Sequence, residues 1–128
     1  MLHKDSKIII LDDEHAVAEF TSTTLEQLGF IDIEIFTSVK LFVDRIRTSA
    51  ADLFFLDINL NQFDGLVILS WVKAKQPNAK VVMFSGDTRK DLVQEASQLG
   101  AVGFLSKLEL DKNIRQLLNK WNVNYPLM

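Results

Sequence analysis

Five short apolar segments alternate along the chain with segments in which apolar residues recur every three or four positions. The first, third and fourth apolar segments have no polar alternation, which is typical of strands buried on both faces of a parallel sheet. The second alternates and the fifth contains Gly103, so both are predicted to be edge strands. The predicted strands cover residues 7–11, 31–36, 52–56, 80–84 and 102–105.

The segments between the strands carry helix signals. Residues 14–28 place Phe20 among the apolar residues of one face, and Gly29 predicts where that helix ends. Ser38 is predicted to cap a helix that runs to about Arg47 with Leu41, Phe42 and Ile46 turned inward. The remaining predictions are a helix over 65–75, a helix that a Thr88–Asp91 capping box begins and Gly100 ends, and a last helix with Ile114, Leu117, Leu118 and Trp121 inside.

Strands that alternate with helices over short connections predict an α/β fold, a doubly wound parallel sheet with helices on both faces. In such sheets, ligands bind beyond the carboxyl ends of the strands, where the winding reverses. The 128 residues suit a single domain. We expect its core over about 5–121 and a short tail over 122–128.

Composition narrows the possible functions. The chain has no cysteine, which excludes disulfides, cysteine metal sites and a thiol nucleophile and fits a reducing compartment. The net charge is −3 with no block of Lys or Arg, so direct binding to nucleic acid is not expected. No apolar run is long enough to span a bilayer and the start does not resemble a signal peptide. We therefore expect a cytoplasmic protein without membrane contact.

Polar residues follow four of the predicted strands, where the fold places its ligands. Converging carboxylates repel one another, and a divalent cation relieves that repulsion. Ligands that offer only oxygen favour Mg²⁺ or Mn²⁺ over zinc. The nearby ammonium, hydroxyl and amide groups complete a cage for a phosphoryl group, with Asp57 as the nucleophile that forms an aspartyl-phosphate. These residues are Asp12 and Asp13, Asp57, Ser85 and Gly86, and Lys107.

Each of these residues has a structural explanation when taken alone. A single Asp or Ser after a strand is usually a turn or cap residue, and a single Lys is usually solvated. The function therefore depends on their occurrence together at the ends of four strands. His15 is expected to be a solvent-facing helix residue rather than a zinc ligand. Trp71 is expected to pack in the core.

Taken in order, the motifs are similar to those of one family. Residues 5–121 resemble a receiver domain of the bacterial response regulators, of the stand-alone type. The resemblance implies a flavodoxin-like, five-stranded parallel sheet with strand order 2-1-3-4-5. The matching motifs are Ile10-Leu11-Asp12-Asp13-Glu14, residues 53–60 with Asp57 followed by Asp64-Gly65, Phe84-Ser85-Gly86, and residues 100–107 ending in Lys107.

The resemblance implies a phosphoprotein of two-component signal transduction or a phosphorelay. A histidine kinase or histidine phosphotransfer protein would phosphorylate it, and it would turn over no external metabolite. A downstream protein would read the face of helix 4, strand 5 and helix 5, and the chain would be a monomer or a phosphorylation-dependent dimer. The implied roles are Asp57 as phosphoacceptor, Asp12, Asp13, Asp57 and the Asn59 backbone carbonyl as Mg²⁺ ligands, Ser85 and Lys107 as phosphoryl contacts, and Ser85 and Phe104 as the switch.

Three positions depart from the family pattern. Receivers usually have proline after the lysine, where this chain has Leu108. Receivers also commonly have a proline in the loop after the phosphoacceptor. In this chain, the corresponding position is Asn61 or Gln62. The aromatic switch residue, Phe104, has no hydroxyl.

Two other functions compete with this interpretation. A haloacid-dehalogenase-like phosphohydrolase would also use Asp57 as nucleophile, but it needs a second Asp as general acid where this chain has Asn59. A nucleotide- or flavin-binding module would need a Gly-rich loop after the first strand. Asp12 and Asp13 would repel a phosphate at that position.

Overall fold

The computed structural model describes residues 2–121, so the predicted tail over 122–128 lies outside the described residues. The strands are β1 (Lys7–Leu11), β2 (Asp32–Phe36), β3 (Leu53–Asp57), β4 (Asn59–Leu60), β5 (Phe63–Asp64), β6 (Lys80–Ser85) and β7 (Gly103–Ser106). The helices are α1 (His15–Gln27), α2 (Val39–Thr48), α3 (Gly65–Lys75), α4 (Lys90–Gln98) and α5 (Leu110–Lys120). Within residues 2–121, none of these helices is long and apolar enough to cross a membrane.

The main sheet confirms the predicted topology. Its five parallel strands lie in the order β2-β1-β3-β6-β7. This is the 2-1-3-4-5 order, because β4 and β5 form a separate two-stranded hairpin. Leu11 pairs with Leu56, and Ser85 pairs with Ser106. The register therefore brings the carboxyl ends of β1, β3, β6 and β7 to the same edge.

The sheet is covered on both faces. Alternate residues of β1 and β3 point to opposite sides, and nearly all of them are fully buried. One side packs against α2, α3 and α4, and the other side packs against α1 and α5. This burial explains why the central strands are apolar without alternation.

The prediction that Phe20 and Leu41 point into the core is wrong. Phe20 is 48% exposed and Leu41 is 59% exposed. In α1, the buried face instead includes Ala18, Thr21 and Leu25. The hydroxyl of Thr21 is satisfied inside the helix because it donates to the Val17 carbonyl oxygen at 2.9 Å. A threonine can therefore occupy a buried position that a pattern of apolar residues does not reveal.

The predicted capping box of the fourth helix is also wrong. The helix α4 begins at Lys90 with Arg89 at its N-cap, and no side chain caps it. The carboxylate of Asp87 accepts the Arg89 N–H at 3.1 Å and also pairs with its guanidinium. This local turn extends the loop past Thr88, so the helix starts one residue later than the motif predicts.

The hairpin β4–β5 connects the end of β3 to α3 and was not predicted from the sequence. Asn61 at its tip has a φ of 53°, a left-handed conformation that Asn tolerates. Asp64 caps α3 by accepting the Leu66 N–H at 2.9 Å. The next residue, Gly65, touches the backbone of β3, since a Cβ there would lie 2.2 Å from the Asp57 carbonyl oxygen. Glycine is therefore required for this close approach.

Candidate functional site

Three carboxylates meet at the carboxyl ends of β1 and β3. Asp12 and Asp57 are buried, whereas Asp13 is exposed. Carboxylate oxygens of the three residues lie within 4.8 Å of one another. The structure therefore brings together the three acidic residues that the sequence predicted, with one of them open to solvent.

Lys107 joins these carboxylates from the end of β7. Its Nζ lies 3.1 Å from Asp12 Oδ2, 3.2 Å from Asp57 Oδ2 and 3.1 Å from Glu14 Oε1. The backbone N–H of Lys107 donates to the Ser85 carbonyl oxygen at 2.9 Å, which fixes the lysine beside β6. Glu14 follows directly after the acidic pair, but its contact with Lys107 was not predicted from the sequence.

A backbone N–H donates a hydrogen bond to the Oδ1 atom of each buried carboxylate, Asp12 and Asp57. The Glu14 N–H donates to Asp12 Oδ1 at 2.8 Å, and the Asn59 N–H donates to Asp57 Oδ1 at 3.2 Å. The second oxygen of Asp12, Oδ2, is buried and accepts no well-aligned hydrogen bond from the described residues, although the Lys107 ammonium is near. Such an oxygen is suited to bind a cation.

The charges of the site do not balance. Burial raises the pKa of Asp12 to about 7, and the charge of Asp57 adds to this effect against the Glu14 amide and Lys107. Burial also raises the pKa of Asp57, against the opposing charge of Lys107. The pKa of Lys107 is raised as well, because the two carboxylates outweigh its desolvation. One ammonium therefore does not offset two buried carboxylates, and a hard divalent cation bound by oxygen ligands fits this donor set.

Ser85 supplies a hydroxyl at the end of β6. The residue is fully buried, and its Oγ accepts the Asp87 N–H at 2.9 Å. Among the described residues its own hydroxyl proton has no hydrogen-bond acceptor, so it can be donated to an incoming oxygen. The ring of Phe84 lies below the lysine, with its centroid 5.5 Å from Lys107 Nζ.

The loop between β7 and α5 is held without a proline. Leu108 is 76% exposed, and its N–H donates to the Ser106 hydroxyl oxygen at 3.1 Å. The Asn113 side-chain amide donates to the carbonyl oxygens of Ser106 and Leu108, at 3.1 and 2.9 Å. Glu109 then begins α5 from a left-handed conformation with φ 55°. Side-chain hydrogen bonds thus replace the restraint that a proline ring would give.

The remaining sequence predictions concern residues around the site. Phe104 is half-buried and lines an open groove between β7 and α5. His15 is a solvent-facing helix residue as predicted, and its Nε2 lies 3.0 Å from the Glu19 carboxylate. Trp71 is half-buried against the core, which confirms its packing role in part.

Comparison with known proteins places this geometry in a family. Residues 8–119 match the response regulator receiver domain. The transcriptional regulatory protein ComA of Bacillus subtilis is 28% identical over 115 residues, which are 88% of this chain and 54% of ComA. The sporulation initiation phosphotransferase F of Bacillus subtilis is 25% identical over 118 residues, which are 91% of this chain and 94% of that protein.

Solved structures agree with the family match. The signal receiver domain of a DNA binding response regulator (merR) from Colwellia psychrerythraea 34H has a TM-score of 0.77 and 27% identity, over 90% of this chain and 99% of that one. A CheY-like receiver domain protein from Methanospirillum hungatei JF-1 has a TM-score of 0.76 over 92% of this chain and 97% of that one. At 22% identity, this second likeness shows the fold alone.

The matches cover most of this chain but differ in how much of each relative's length they cover. The chain spans about half the length of several curated relatives, including ComA and the response regulator protein TodT of Pseudomonas putida, and nearly all of phosphotransferase F. None of these matches supports the phosphohydrolase alternative. Apart from Lys7 of β1 and Lys120 of α5, the match covers every described strand and helix, including each motif residue between Asp12 and Lys107. The chain belongs to the receiver domain family of the two-component response regulators.

Proposed function

We propose that this chain is a phosphoryl-accepting signalling module that takes a phosphoryl group on Asp57 in a Mg²⁺-dependent reaction. The observation that carries the proposal is the position of Asp57 Oδ2, which lies 3.2 Å from the Lys107 ammonium at the edge of the sheet where the three carboxylates meet. A nucleophilic carboxylate beside a fixed cation matches the requirements of phosphoryl transfer.

Each residue of the site has a separate role in the proposed phosphoryl transfer. Asp57 attacks the phosphorus of a phosphohistidine, so an oxygen–phosphorus bond forms while the phosphorus–nitrogen bond breaks and the electron pair leaves with the imidazole. The Lys107 ammonium pairs with one phosphoryl oxygen, and the Ser85 hydroxyl donates to another. Mg²⁺ or Mn²⁺, held by Asp12, Asp13, Asp57 and the Asn59 backbone carbonyl, would neutralise charge on the phosphoryl oxygens. The same residues would serve dephosphorylation, without turnover of an external metabolite.

The signal leaves by protein contact in this proposal. A histidine kinase or phosphotransfer protein supplies the phosphoryl group in the cytoplasm, and a downstream protein binds the face of α4, β7 and α5. Ser85 and Phe104 lie on neighbouring strands, where Ser85 pairs with Ser106 and Phe104 with Met83. Movement of the Ser85 hydroxyl toward the phosphoryl group would vacate space beside β6, and Phe104 would turn inward to fill it.

Phosphorylation by acetyl phosphate tests the proposal. We expect the intact mass of the wild type to rise by one phosphoryl group with Mg²⁺ and to stay unchanged with EDTA. Asp57→Asn should take up none, whereas Asp44→Asn, which removes an exposed carboxylate on α2, should react as the wild type does. Lys107→Gln should slow the uptake. Uptake by Asp57→Asn equal to that of the wild type would show that another residue is the acceptor.

A further inference from the structure

The helix α3 has an outer face unlike those of the other helices. Its exposed residues between 67 and 74 are Val67, Ser70 and Ala74, and half-buried Trp71 lies among them. Val67 is 62% exposed, and Phe63, one turn before it on β5, is 51% exposed. The other four described helices all present charged residues on their exposed faces, for example Lys90 and Asp91 of α4.

The lysines of α3 leave this face uncharged. The ammonium of half-buried Lys73 donates to the carbonyl oxygens of Pro77 and Ala79, at 2.8 and 2.9 Å, and so lies toward the end of the helix. Lys75 is exposed at the last position of α3, and Asp64 is exposed just before the first. The surface is therefore apolar or small along its length, with opposite charges at its two ends.

We propose that this face binds a second copy of the chain, with the two α3 helices packed antiparallel about a twofold axis. An isologous interface requires a surface that is complementary to itself. Antiparallel packing places the Asp64 end of each helix beside the Lys75 end of the other, over a helix of 11 residues that is about 16 Å long. A parallel arrangement would instead bring like charges together.

The shapes along the helix favour the same arrangement. With the twofold axis near residues 70 and 71, Val67 of one copy lies opposite Ala74 of the second copy, so a large side chain meets a small one. The small Ser70 at the axis allows the two backbones to approach closely, and antiparallel helix dipoles attract. Phe63 then reaches past the end of the facing helix to the exposed Pro77.

A single helix face buries less area than most stable dimers, so the self-association should be weak and reversible. Sedimentation of the full chain from micromolar to millimolar concentration should show a monomer–dimer equilibrium. Val67→Glu should weaken it at least about tenfold, because each copy would then bury an unpaired carboxylate against Ala74 of the facing helix. Phe20→Glu adds the same charge to an exposed apolar position of α1, on the opposite face of the sheet, and should leave the equilibrium unchanged.

A disulfide test maps the interface, since the chain has no cysteine of its own. Ser70→Cys should give a disulfide-linked dimer under mild oxidation, whereas Ser97→Cys, at an exposed position of α4, should form no disulfide-linked dimer. A monomer at every concentration would overturn the proposal. Dimerisation of Val67→Glu as strong as that of the wild type, or equal cross-linking at positions 70 and 97, would also overturn it. The test can be repeated on Asp57→Asn, so failure of this proposal and failure of the phosphorylation proposal give different results.

Discussion

Replacing Asp12 by Asn should remove much of the pH dependence of stability when Mg²⁺ is absent. Burial raises the pKa of this carboxyl from its ordinary 3.8 to about 7. The folded protein therefore binds a proton that the unfolded chain releases at lower pH, so stability falls as pH rises from the unfolded to the folded pKa. Since one pKa unit corresponds to about 1.4 kcal/mol, ionised Asp12 costs about 4 kcal/mol at alkaline pH.

The substitution itself should be accommodated by the site. The side-chain oxygen of Asn can still accept the Glu14 N–H that Asp12 accepts now. Its NH₂ group points toward the same cluster as the Asp57 carboxylate, since the two side chains offer oxygens within 4.8 Å of each other. Lys107 keeps its ion pairs with Asp57 and Glu14.

Urea denaturation in EDTA, followed by tryptophan fluorescence, measures the effect. Between about pH 5 and about pH 8, the wild type should lose about 2–3 kcal/mol more than Asp12→Asn. Asp13→Asn is the matched control, because Asp13 is exposed and its charge acts mainly through water, so its gain in stability should be smaller. Mg²⁺ should stabilise the wild type more than Asp12→Asn. Equal pH dependence of the two proteins in EDTA would refute the reasoning.

Three further predictions follow from the geometry. Gly65→Ala should lower the free energy of unfolding by about 2–3 kcal/mol, because the added Cβ would meet the β3 backbone at 2.2 Å. Gly86→Ala is the control and should be nearly neutral, since no atom lies within 4 Å of its added Cβ. Urea titration of both variants measures the difference. Asn113→Ala should lower the free energy of unfolding by about 1–2 kcal/mol, since the carbonyl oxygens of Ser106 and Leu108 lose their donor. It should also speed amide hydrogen exchange in the β7–α5 loop, and unchanged exchange would contradict this. Beryllofluoride with Mg²⁺ should shift the NMR signals of the β6–α4 loop and of Phe104, and shifts confined to the neighbours of Asp57 would defeat the proposed switch.

The sheet and most of the site were predictable because each depends on a short, local signal. Apolar runs without alternation identify central strands, and the topology rule then places the residue after each strand at one edge. Asp12, Asp57 and Lys107 could therefore be assigned to one site before any distance was known. The distances add what the sequence does not contain, namely which oxygens lie within reach of the ammonium and which are held by backbone amides.

The errors occurred where tertiary contacts or loop chemistry decide the outcome. Phe20 and Leu41 satisfy a helical pattern but lie on the exposed side, whereas Thr21, which was not predicted, and Phe42, which was, occupy core positions. Thr88 satisfies a capping motif, but the turn around Asp87 delays the helix. The hairpin between Asn59 and Asp64 has only two residues in each strand, which is too short for any periodicity to appear.

The contact between Gly65 and the end of β3 has a mechanical consequence. The Gly65 N–H donates to the Ile58 carbonyl oxygen at 2.8 Å, and no side chain separates the first turn of α3 from the strand that carries Asp57. A displacement of that turn therefore acts on the strand of Asp57 directly through backbone atoms, without a side chain between them that could adjust. Whatever binds α3 and whatever binds the acidic edge act on one rigid joint, and thermodynamic linkage requires any influence between them to be mutual.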